Sequence, residues 1–170
     1  MIDLRSFVFL DSLQPQHAAF LGTIAKGFLP VRGQASLLIE IAPGIEINRL
    51  TDIAVKTTSV QPGMQIVERL YGMLELHSPS QADVRQAGSA ILEALGLNEE
   101  DRIKPRVLSS QVIKHVDDLQ VQLINRSRQG MMLIAQESLF IMEVEPAGYA
   151  AFAANEAEKA AEINVVDVRM

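Results

Sequence analysis

The chain has 170 residues, 48% hydrophobic and 21% charged, enough apolar side chain to bury a core in one large domain or two small ones. A formal net charge of −6 argues against nucleic-acid partners, which need clustered positive charge, and the lack of cysteine excludes disulfides and thiolate metal sites. No stretch is long and apolar enough to cross a lipid membrane as a helix, and Met1–Arg5 does not open a signal peptide, so a soluble chain in a reducing cytoplasm is expected. With aromatics at 5% and tryptophan absent, core volume must come from Leu, Ile, Val, Ala and the 7 methionines.

In chain order, residues 5–12 are β-rich, and 16–26 form a helix that Gly27 should stop. A strand over 36–42 is followed by a helix over 47–58 with Ile47, Leu50, Ile53 and Ala54 on one face. Pro62-Gly63 is expected to break the chain before a strand at 64–69; Pro43-Gly44 likewise reads as a turn. A second strand covers 73–77, with Leu70-Tyr71-Gly72 at the turn between the two. A helix over 81–95 is capped by Ser78 or Ser80 and ended by Gly96. The acidic run Asn98-Glu99-Glu100-Asp101 is the candidate linker. Beyond it come a β-rich stretch at 104–115, a helix at 117–129, a strand at 137–143, a helix at 149–162 and a strand at 164–170.

The second series echoes the first. Gly27 and Gly130, Phe28 and Met131, Val31 and Ile134, Lys56 and Lys159, and Val60 and Ile163 all stand 103 residues apart. The strand ASLLIEIAPG is matched by ESLFIMEVEP with a small local shift. The expected organisation is a first domain over 1–97, a linker over 98–103 and a second domain over 104–170. The second copy stops where the first continues with a further strand and helix, so it is expected to be incomplete.

Thr51-Asp52-Ile53-Ala54-Val55-Lys56, followed by Val60, resembles the A-D-x-A-x-K-x-x-x-V helix of the bacterial microcompartment shell domain. Ala82-Asp83-Val84-Arg85-Gln86-Ala87 is similar to that family's second helix, and the second copy keeps Glu156-Ala157-Glu158-Lys159 with Asn155 for the aspartate. The strand and helix preceding each core look like the circularly permuted tandem form found in ethanolamine- and propanediol-utilisation shells. The resemblance implies an α+β fold (an α/β sandwich): two tandem permuted domains, each a mainly antiparallel sheet with helices packed on it. It also implies a homotrimer imitating a hexamer, tiling with other shell proteins and passing small metabolites through a pore.

The same resemblance makes Lys56 and Lys159 tile-edge contacts. The alternatives are a solvated helix-face lysine for Lys56, and helix ion pairs with Glu156, Glu158 or Glu162 for Lys159. It makes Glu68, Arg69, Leu70, Tyr71 and Gly72 a pore-lining loop, Arg69 favouring anions. The alternative is an ordinary hairpin in which Gly72 supplies a permissive backbone angle. No catalytic constellation is visible. His17, His77 and His115 are isolated, without metal-ligand spacing, and are expected to be surface or partly buried histidines. Glu99, Glu100 and Asp101 read as solvated, Ser109 and Ser110 lack a local base, and no glycine-rich phosphate loop is present. No enzyme activity, cofactor or metal is expected. A structural shell protein is the leading expectation, and an oligomeric small-molecule-sensing regulator built from duplicated α+β units is the alternative.

Overall fold

The computed structural model describes residues 2–170. β1 (Asp3–Leu10), β2 (Ala35–Ala42), β3 (Gln61–Val67) and β4 (Gly72–Ser78) form one antiparallel sheet in the order β1-β2-β4-β3. Between them lie α1 (Pro15–Ile24) and α2 (Ile47–Thr57), and α3 (Gln81–Leu95) follows. β5 (Arg106–Ile113) and β6 (Leu139–Glu145) make a second, two-stranded antiparallel sheet, accompanied by α4 (Asp118–Ser127) and α5 (Tyr149–Ala160).

The alternation of side chains along β2 explains the layers. Leu37, Ile39 and Ile41 face one way and bury Ile47, Leu50 and Ala54 of α2 with Val84, Ala87 and Ile91 of α3. Leu38 faces the other way, into a core holding Phe20 and Leu21 of α1, Met64, Met73, and Tyr149 and Ala151 of α5. The central strand therefore reads as a nearly continuous apolar run, because helices cover both its faces. The second layer of helices comes from both halves of the chain.

The repeat is visible in the backbone. β1 and β5 each carry an irregularity in register, at Leu4/Ser6 and Val107/Ser109, 103 residues apart. Gly27 donates its N–H to Gly63 O and Phe28 to Pro62 O; Gly130 donates to Val166 O and Met131 to Val165 O, again 103 residues on. An added Cβ at Gly27 or Gly130 would overlap the carbonyl oxygen of Pro62 or Val165.

That contact corrects three expectations. Gly27 is not the stop of α1, which ends at Ile24 with Ala25 already extended; glycine is needed there for close backbone approach. Pro62-Gly63 does not precede β3 but lies inside it, at an irregularity between Pro62 and Met64. Residues 164–170 are not a strand. Their counterpart β3 makes the same loop contacts but is a strand because β4 pairs with it, and no strand among the described residues pairs with 164–170. The expected caps of α3 do hold: the Ser80 hydroxyl accepts the Asp83 N–H, and Gly96 adopts the left-handed conformation at φ 66.

Leu74 is fully buried where β4 meets α2 and α3. Leu74→Ala is expected to lower unfolding free energy by about 2–5 kcal/mol, seen as a lower urea midpoint at unchanged slope. A loss under about 0.5 kcal/mol would mean this layer is not the core.

Candidate functional site

Three features outside the apolar core hold the candidate residues and the polar contacts around them. The first is the β3–β4 connection. Glu68 donates its N–H to Tyr71 O at 2.8 Å, closing a tight turn with Glu68, Arg69 and Leu70 exposed at its tip. Neither Glu68 nor Arg69 forms an ion pair among the described residues. The base of the turn is fixed from two sides. The Arg5 guanidinium lies 3.8 Å over the Tyr71 ring. Gly72 and Gly44 meet backbone to backbone, each so close that a Cβ on either would overlap the other segment. Gly72 is thus required for close packing; it is not among the residues with positive φ, contrary to the hairpin alternative.

The second feature is the exposed face of α2. Lys56 has a side chain 72% exposed and donates to Asp52 at 2.8 Å, one turn back along the helix. Its counterpart Lys159 is only 27% exposed and donates to both Asp11 and Glu156. The Lys159 hydrogen bond holds the Asp11 carboxyl below its usual range, and Asp11 in turn raises the Lys159 ammonium. The two lysines occupy equivalent helix positions in different surroundings.

The third feature is a polar seam joining the two halves. α1 begins at Pro15 with Gln14 before it, which offers no side-chain cap, so its first amides need outside acceptors. Glu158 of α5 accepts the N–H of Gln16 at 2.9 Å and of His17 at 3.0 Å. Asn155 accepts the Gln14 N–H at 2.9 Å and donates to Ser12 O at 3.2 Å. A carboxylate at a helix N-terminus also opposes the positive end of the helix dipole, so each such contact stabilises more than a neutral one. Nearby, buried Glu40 accepts from Arg5 Nε at 2.7 Å and from the Gly148 N–H at 3.0 Å.

The histidines depart from expectation. His115 is exposed, but His17 and His77 are fully buried and not isolated. His77 Nδ1 lies 3.0 Å from Glu75, whose other oxygen accepts the Ser36 hydroxyl at 2.6 Å. His17 Nδ1 lies 3.3 Å from Asn155 Oδ1. The partner of His17 comes from a helix 138 residues away, which local spacing does not reveal, whereas His77 meets a carboxylate two residues away on its own strand. No cluster suited to a metal ion occurs among the described residues. The linker run is a short 3-10 turn in which Asn98 and Asp101 cap one another.

Burial pushes the His17 imidazole below its ordinary 6.5, against the opposing influence of Asn155, Glu158 and Glu75. A depressed histidine folds neutral, so the unfolded chain binds more protons as pH falls, and stability is lost below about pH 6.5. The melting temperature should therefore drop between pH 7.5 and 5 in the natural chain, and drop less in His17→Gln. Equal pH slopes in the two proteins would show that His17 is not the source.

Comparison with known proteins bears on what these features serve. Residues 4–101 match the family described as the CsoS1D N-terminal domain. The chain is 59% identical over 167 residues to the carboxysome shell protein CcmP of Synechococcus elongatus, covering 98% of this chain and 78% of that protein. Among solved structures, it superposes on the fused permuted hexameric shell protein MSM0275 from the RMM microcompartment with a TM-score of 0.96 and 46% identity, covering 99% of this chain and 83% of that one. It matches the double ringed trimeric shell protein MSM0271 from the same microcompartment with a TM-score of 0.95 and 41% identity, covering 100% of this chain and 83% of that one. These relatives come from carboxysomes and the RMM microcompartment, where the sequence resemblance pointed to ethanolamine- and propanediol-utilisation shells. The chain belongs to the family of tandem, permuted microcompartment shell proteins, and its role is structural, in the shell, rather than enzymatic or ligand-sensing.

Proposed function

We propose that the chain works as a homotrimer in which the units 1–97 and 104–170, joined by 98–103, alternate around a ring of six. The polar seam supports this most directly, because it already joins two repeat-related units side by side within one chain. The trimeric relative named above supports the chain number. Such a ring closes by rotation and leaves a flat outer edge for tiling with other shell proteins.

The turn of Glu68, Arg69, Leu70, Tyr71 and Gly72 is the proposed pore lining, supported by its pinned base and exposed, unpaired tip. Arg69 at a constriction would favour small anionic metabolites, while Leu70 or Tyr71 narrows the opening. Lys56 is the proposed tile-edge contact, its exposed stem free to lie along a neighbouring tile. Lys159, held by Asp11 and Glu156, is the weaker counterpart at that edge.

Native mass spectrometry is expected to give three chain masses, and electron microscopy to show sheets or tubes at high protein concentration. Lys56→Ala should abolish the sheets and leave the trimer mass intact. A monomer at all concentrations would overturn the assembly reading, and intact sheets in the variant would overturn the role of Lys56.

A further inference from the structure

The turn at 68–72 has an exposed tip, but its base is held by contacts that run into the other half of the molecule. Arg5 is the extra residue at the irregularity in β1: Leu4 pairs with Ile41 and Ser6 with Glu40, and Arg5 has no partner across the ladder. Such a bulge re-aims one side chain. From β1 that side chain passes over β2 to Tyr71 beside the start of β4, two strand spacings or about 10 Å away. Its Nε donates to Glu40 at 2.7 Å on the way, and its guanidinium ends 3.8 Å over the Tyr71 ring. The other Glu40 oxygen accepts the Gly148 N–H of the second half at 3.0 Å.

We propose that Arg5 is the positioning residue of this turn: it acts through Tyr71, and the second half, through Gly148 and Glu40, holds Arg5 in place. The proposal rests on the reading of the turn as the pore lining and says what sets its shape.

Tyr71 is the one residue of the turn whose side chain is anchored. Glu68 and Arg69 are exposed without ion pairs, Leu70 is 64% exposed and Gly72 has no side chain. The Tyr71 carbonyl also accepts the Glu68 N–H that closes the turn, so a displaced Tyr71 opens it. The strand itself does not need a guanidinium here. β5 makes the same irregularity with Leu108 at the equivalent position, between Val107 and Ser109. A lysine would carry the charge but not the plane, and its single ammonium could not pair with Glu40 and cover the ring at once.

The link to the second half lies in the two Glu40 oxygens. Glu40 is buried, and with each oxygen on a different donor it offers Arg5 only one. If the Gly148 amide withdrew, the freed oxygen would draw a second guanidinium N–H into a bidentate pair, lifting the guanidinium off the Tyr71 ring. The shape of the turn and the seating of the second half are thereby coupled, and such coupling runs both ways.

Amide hydrogen exchange on the assembled protein reads both ends, at the Glu68 and Gly148 amides. Arg5→Leu, which copies β5, is expected to speed Glu68 exchange about tenfold while the Leu97 amide at the end of α3 keeps its rate. Because Arg5→Leu strips a buried carboxylate of its cation, Arg5→Lys is the second variant; it keeps the charge and should still give fast Glu68 exchange. Tyr71→Phe keeps the ring and should exchange like the natural protein. Tyr71→Ala should match Arg5→Leu and also speed Gly148 exchange about threefold. A natural Glu68 rate in Arg5→Lys, or a Tyr71→Phe rate as fast as that of Tyr71→Ala, would overturn the positioning role. A natural Gly148 rate in Tyr71→Ala would overturn the link to the second half. Electron microscopy of the trimer tests the pore reading separately: residues 68–72 lying away from the central opening would overturn that reading whatever the exchange rates.

Discussion

The two halves are held together by the unmet hydrogen-bonding demand of one helix end. α1 starts with proline and no side-chain cap, on the side of the sheet where Phe20 and Leu21 must be buried. An uncapped helix terminus in a buried position is costly. Glu158 and Asn155 meet that demand from more than 130 residues away, and in doing so place α5 against the central sheet. Tyr149 and Ala151 complete the core on that face. The position of the second half, the burial of Glu40 by the Gly148 amide and the neutral state of His17 all follow from it.

The interior is more polar than a simple sandwich of sheet and helices requires. Glu40 and Glu75 point from adjacent central strands into otherwise apolar surroundings, Glu40 met by Arg5 and the Gly148 amide, Glu75 by Ser36 of β2 and His77 of its own strand. Removing one member of such a pair would leave a buried charge alone, a loss of about 3–5 kcal/mol by general experience. These groups therefore fix register and relative placement as much as they stabilise. The Arg5 side chain, shared between Glu40 and the Tyr71 ring, links the seam to the base of the exposed turn.

Much of this was legible in the residue order, and the misses have physical causes. The helix from Gln81 to Leu95 was readable to the residue, because its stop and start are local: a serine hydroxyl at one end and a left-handed glycine at the other. The repeat was readable because glycines and the lysines recur at one spacing. Gly27 was misread because its reason for being glycine is a carbonyl 35 residues away, not the helix beside it. His17 escapes a local reading for the same kind of reason, since Asn155 lies on α5, whereas the Glu75 that meets His77 stands two residues away on β4 and was open to a local reading. Glu40, Asn155 and Glu158 were missed, though an acidic residue inside the run Leu37–Ala42 was a sign that something across the fold must answer it.

The paired glycines also bear on how the chain can change over generations. At Gly27 and Gly130 two stretches of main chain touch with no room for a methyl group, whereas the apolar positions around them can exchange Leu, Ile, Val or Met at modest cost. Drift can therefore erase the likeness between the halves almost everywhere except at such contacts. They act as a fossil record of the duplication, surviving after the side chains that once made the two copies alike have gone separate ways.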